Sequence, residues 1–233
     1  MFCVNCGAAV DGNAVAACGT CGKLNQPTLS SADVSRMIKE ASTDALGAIR
    51  HVIADPISGL ASAFTMLGEQ RGRSAGIAFG VGFAAVAAIA SVIAASSSAA
   101  EGRLKLMLAV FIVALVPFVA LAVTSAASRK AFRSAGTPGA DLFTAGVALQ
   151  PFGLFLILAA LLGIDNYQAV LLLSVFAWTY MLCILFAGCT RLVGVPERFT
   201  PPVLAVMILV AIWLTKIVAA SFLGSGPFAR FFA

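Results

Sequence analysis

Residues 68–95 read GEQRGRSAGIAFGVGFAAVAAIASVIAA. Past Arg73, no charged side chain interrupts the chain until Glu101. A run of that length decides the fold. About 20 apolar residues in a helix cover the roughly 30 Å of a bilayer's hydrocarbon core, and a helix satisfies its own backbone polar groups there. Small residues recur at every fourth position, at Gly68, Gly72, Gly76, Gly80, Ala84 and Ala88. Such a stripe lets helix backbones approach closely, and this packing stands in for the hydrophobic drive that lipid does not supply. We read it as a seam, either within one bundle or between the chains of a homo-oligomer.

The rest of the chain repeats the pattern. Apolar runs at 75–95, 106–125, 143–163, 169–189 and 203–223 predict five transmembrane helices. The breaks are SSSAAEGR, ASRKAFRSAGTPGAD, IDNYQ and TRLVGVPERFTPP, and the short ones imply antiparallel neighbours. Of the 233 residues, 61% are hydrophobic and 11% charged, far below the roughly 25% charge of soluble domains. A soluble core of this size would have too few charged residues to coat it. The expected fold is therefore an all-α polytopic membrane protein, with its five-span domain at 75–225 and a tail at 226–233.

The net charge of +5 reads as topology rather than nucleic-acid binding. No basic segment followed by an apolar stretch opens the sequence, so the N-terminus is expected to stay in the cytosol. With the N-terminus inside, eleven Lys and Arg residues fall on inner segments and three (Arg103, Lys105 and Arg230) on outer ones. The positive-inside rule then puts the C-terminus outside, with a bacterial inner membrane as the expected location.

Residues 3–22, CVNCGAAVDGNAVAACGTCG, are of another kind. Cys3, Cys6, Cys18 and Cys21 form two CxxC pairs, each followed by glycine. Four thiolates are what a structural tetrahedral zinc takes, and in the reducing cytosol paired cysteines point to metal rather than disulfide. The eleven residues between Cys6 and Cys18 suffice for a β-hairpin turning at Asp11-Gly12. A rubredoxin-like iron site and a dithiol redox pair use the same pattern. A catalytic zinc needs an open position that four thiolates do not leave. The residues between the pairs are too few and too small to fold by burial, so metal would supply the folding free energy, on the order of 10 kcal/mol. The N-terminal module at 1–25 resembles the short zinc ribbons attached to many bacterial membrane proteins, a likeness carried by CxxCG–x(10)–CxxCG.

Between the two parts, residues 26–74 read as a polar linker and two amphipathic helices. Ser30 and Asp33 have capping-box spacing, and the first helix is expected to stop near Asp55-Pro56. In the second helix Ile57, Leu60, Ala61, Phe64 and Leu67 share a side. Both helices suit either the inner membrane surface or the bundle. His51, the one histidine, reads as a polar position near a helix end rather than a metal ligand.

The predicted spans carry little chemistry. None holds Asp or Glu well inside it, and no HExxH, GxSxG or phosphate-binding glycine loop occurs. Their polar residues are Ser91, Thr144, Gln150, Ser174, Thr179, Thr215 and Lys216. Pro117 and Gln150-Pro151 should disturb their helices, as packed kinks or as part of a path. Lys216 is either functional or snorkels toward the outer surface. Cys183 and Cys189 face different directions and read as small hydrophobes.

The architecture from residue 50 to 225, with ADPISGLASAF at 54–64 leading into five close spans, resembles the Yip family of Rab-interacting membrane proteins and their bacterial relatives. The resemblance implies a non-enzymatic helical membrane protein of membrane organisation or trafficking. The acidic DLYGP-type signature of the eukaryotic members is absent, which argues against a Rab partner. The leading expectation is a membrane scaffold or adaptor whose ribbon binds a cytosolic protein, with lipid but no nucleic acid as its other partner. The alternative is a small transporter or channel component with a path near Gln150, Pro151 and Lys216. A zinc-responsive regulator is a third, though four thiolates hold zinc too tightly for that role. Convergence of Thr144, Gln150, Thr179 and Lys216 on one cavity would favour transport, and dispersal would favour the scaffold.

Overall fold

The computed structural model of the chain describes residues 55, 58–94, 100–162 and 166–223. The zinc-ribbon cysteines, the linker, the first amphipathic helix, His51, Ile57 and the C-terminal tail lie outside the described residues. Within them every regular element is helical, and there is no strand.

The elements are α1 (Ser58–Ala94), α2 (Ala100–Ala131), α3 (Pro138–Ala148), α4 (Gln150–Leu162), α5 (Tyr167–Ala187), a π-helical turn at Gly188–Val193, a 3-10 turn at Glu197–Phe199 and α6 (Thr200–Leu223). Taken together they form five helices long and apolar enough to cross a membrane, with α3 and α4 making one span and α5 continuing into the π turn. The chain is an integral membrane protein.

α1 has 37 residues, about 55 Å if straight, nearly twice a bilayer's hydrocarbon core. Gly68 resolves the excess. Its backbone leaves the helix at φ +71°, ψ 172°, a region open essentially to glycine alone, and breaks α1 into an arm (58–67) and a span (69–94). Asp55 starts the arm: its carboxylate accepts the Ser58 N–H (2.9 Å) and its carbonyl the Gly59 N–H (2.8 Å). An aspartate that satisfies orphan N–H groups at a helix start acts as its cap, so Asp55 opens this helix. Of the two sites expected for the arm, the bundle is the one found. Leu60 and Ala63 are buried, and the Phe64 ring lies 5.5 Å from that of Phe143.

The small-residue stripe packs inside the bundle. Gly72, Gly76, Gly80, Ala84 and Ala88 are buried, whereas Gly68 is exposed because the chain bends there, and this corrects its place in the seam. A Cβ on Gly76 would stand 2.5 Å from the carbonyl of Leu142, and one on Gly146 would strike the Gly76 backbone. α1 and α3 thus touch backbone to backbone, which only glycine on both sides allows. α1 also packs along α2, α2 along α6, and α4 along α5. The core joins Phe79, Phe83, Phe118, Leu121, Phe143 and Leu185.

The spans run past the predicted apolar runs. α2 keeps Arg129 and Lys130 in its last turn, and the fourth span reaches Val193 through the π turn. The third span begins at Pro138 rather than 143, because the Thr137 hydroxyl caps it by accepting the Ala140 N–H (3.3 Å) and proline fits the first helical position. That extension brings an acid to the end of the span, though not well inside it: Asp141 lies in the first turn of α3 with 2% of its surface exposed. Pro151, which has no N–H to give, breaks the third span at Leu149, whose carbonyl takes the Phe152 and Gly153 N–H groups instead.

Candidate functional site

Three polar groupings and one cleft hold the chemistry of the bundle. At the end of the bundle where the Phe132 and Phe199 rings stack, Asp141 forms a buried cluster. Arg129 Nε donates to Oδ2 at 2.8 Å, and Ser125 Oγ donates to Oδ1 at 2.8 Å. Ser125 and Arg129 are four apart on α2, so one helix face presents both donors to the carboxylate. The first turn of α3 adds its dipole in the same sense. This cluster joins α2 to α3 and leaves the carboxylate with no open approach.

Gln150 is a bridge. Its Nε2 donates to the Phe79 carbonyl on α1 (3.0 Å) and to the Gly146 carbonyl on α3 (3.2 Å). The break that Pro151 makes is thus stitched to a neighbouring span. Thr144 is fully buried where Gly188 opens the π turn, and a Cβ on Gly188 would collide with its side chain. Its Oγ1 has no hydrogen-bond partner among the described residues. Thr179 faces outward and returns its hydroxyl to the Val175 carbonyl (2.8 Å). Cys189 is buried against Met207, with Cys183 half-buried.

Lys216 lies apart from all of these. It lines a cleft of about 420 Å³ to which every span contributes, with Phe83, Pro117, Phe152, Trp178 and Ile208 among the walls. Edge-on packing of Trp178 against Phe152 (5.0 Å) fixes one wall. Thr215 also faces the cleft, but its hydroxyl is bonded to the Ala211 carbonyl (2.7 Å). Lys216 is thus the one charged residue that borders the cleft, and no carboxylate pairs with it among the described residues.

Of the residues singled out in the sequence, Lys216, Thr215 and Pro117 meet at this cleft, while Gln150, Thr144 and Thr179 do not. The Asp141 cluster was missed. The i, i+4 pair Ser125–Arg129, followed by a capped helix start at Thr137-Pro138, was its signal. No group of three or more His, Cys, Asp or Glu able to hold a metal occurs among the described residues, and Cys3, Cys6, Cys18 and Cys21 lie outside them. Compared with protein-family models, curated proteins and solved structures, the chain matches none.

Proposed function

We propose that the chain is a non-enzymatic scaffold or adaptor of a bacterial inner membrane. The N-terminal segment stays in the cytosol, folds around one zinc held by Cys3, Cys6, Cys18 and Cys21, and presents a rigid hairpin to a cytosolic protein. The five-span bundle keeps that ribbon at the membrane. A role in membrane organisation or trafficking comes with the likeness to the Yip family.

The dispersal of polar side chains carries this reading. A path for a polar solute needs several such groups along one route. Here Gln150 is taken by two carbonyls, Thr179 by one, Thr144 is enclosed, and hydrocarbon walls the cleft beside Lys216. The charges support the orientation. Arg129, Lys130, Arg133, Arg191 and Arg198 gather near the end marked by the Phe132–Phe199 stack, whereas Arg103 and Lys105 open α2 at its other end. By the positive-inside rule the first of these ends faces the cytosol.

The test compares proteins that co-purify with the intact chain and with a Cys18→Ser/Cys21→Ser variant, at matched thermal stability of the bundle. A stoichiometric cytosolic partner that is lost with the variant is expected. Solute flux through the reconstituted chain, with no such partner, would overturn the proposal.

A further inference from the structure

The cleft beside Lys216 has a shape and a polarity that together specify a guest. Its volume of about 420 Å³ is in the usual range of ligand sites. A methylene takes up about as much room as a liquid water, roughly 30 Å³, so the space holds on the order of 14 of them. Along α6 the lining runs from Ile208 to Lys216, about 12 Å of helix, against the roughly 15 Å depth of one leaflet's hydrocarbon. Both measures fit one acyl chain. The walls offer hydrocarbon and aromatic surface, and the Thr215 hydroxyl is already bonded, so a sugar, amino acid or nucleotide would leave its polar groups unpaired.

The charge sets the other end of the guest. Lys216 is seven residues from Leu223, the end of α6, about 10 Å along the axis. Lys216 borders the cleft, and a lysine stem is long enough to carry its ammonium part of the way from there toward the lipid phosphates. We propose that the cleft binds one acyl chain of an anionic membrane phospholipid, whose phosphate pairs with Lys216. Moving the chain from bilayer to cleft exchanges hydrocarbon for hydrocarbon and is close to neutral, so the ammonium–phosphate pair supplies the preference. One lysine near the surface corresponds to a preference of about five-fold for an anionic over a zwitterionic lipid.

The chain carries its own reporters. Trp178 lines the cleft, and the other tryptophan, Trp213, is 63% exposed on α6 outside it. The full chain with Trp213→Phe is reconstituted in phosphatidylcholine vesicles containing a small fraction of bromine-labelled lipid, whose chains quench tryptophan fluorescence on contact. Brominated phosphatidylglycerol should quench Trp178 at about one-fifth the mole fraction that brominated phosphatidylcholine needs. Lys216→Gln should abolish that preference and Lys216→Arg keep it, while a Trp178→Phe chain, reporting from Trp213, should show none. Equal quenching by the two headgroups would overturn the proposal, as would a preference that survives Lys216→Gln or appears equally at Trp213. So would a Trp178 that neither lipid reaches, the result expected if a second copy covers the cleft.

Discussion

Removing the Asp141 carboxylate tests the bundle where its electrostatics are most concentrated. The group is 2% exposed and accepts two bonds of 2.8 Å, one from Arg129 and one from Ser125. In Asp141→Ala the Arg129 side chain, 17% exposed, keeps its charge without a partner, and the Ser125 hydroxyl, 1% exposed, loses its acceptor. Breaking a buried pair from one side costs about 3–5 kcal/mol, most of it the desolvation of the charge left behind. For a domain of this size that lowers the unfolding midpoint by on the order of 10 °C. Replacing both partners by apolar residues, Arg129→Met with Asp141→Leu, removes the stranded charge and should recover most of the loss. Thermal unfolding of the purified chain in detergent measures all three forms. A single variant as stable as the parent, or a double variant worse than the single, would refute the account of Asp141 as a buried, paired lock between α2 and α3.

Other outcomes follow from particular contacts. Gly76→Ala should destabilise by about 1–3 kcal/mol because its Cβ meets the α3 backbone, whereas Gly82→Ala, which faces open space, should gain about 0.5–1 kcal/mol; the same unfolding measurement separates them. Thr144→Val, which replaces an unbonded buried hydroxyl by a methyl, should raise stability by about 1 kcal/mol, and a comparable loss would mean the hydroxyl has an acceptor. Elemental analysis should find one zinc per chain, released in acid because thiolates must be deprotonated to bind, and lost in Cys18→Ser/Cys21→Ser without loss of the bundle. A reporter placed before Met1 should read as cytosolic and one after Ala233 as external, since five spans bring the chain out on the face opposite its entry.

What the sequence disclosed about the fold came from hydrocarbon, and what it concealed came from the ends of helices. The apolar runs mark each span's middle because only that part must match the bilayer core. Backbone hydrogen bonding does not stop where the apolar run stops. α2 therefore continues through Arg129 and Lys130, and α3 starts early at Pro138. Reading 127–141 as a loop put Asp141 in water, when it is buried and paired with Arg129. The Pro151 break was visible because proline has no N–H. The break at Gly68 was hidden inside a regular stripe of small residues, and the π turn at Gly188–Val193 has no compositional mark. At the cleft, Lys216 stood out as a charge in an apolar run, but its neighbours come from five separated segments that only the folded chain brings together.

The Arg129–Asp141 pair also constrains how the protein reaches its membrane. During synthesis α2 is complete before α3, so a lone α2 would carry Arg129 with no counter-charge, and a lone α3 would carry Asp141 likewise. An unpaired charge on an inserting helix opposes insertion by up to about 3 kcal/mol, less near a helix end. The two charges cancel only when both helices are side by side. Six residues, 132–137, join them, a connection short enough to bring the second helix back along the first as soon as it emerges. Entry of α2 and α3 into the bilayer together, as a helical hairpin, is therefore the route that leaves the least charge unpaired.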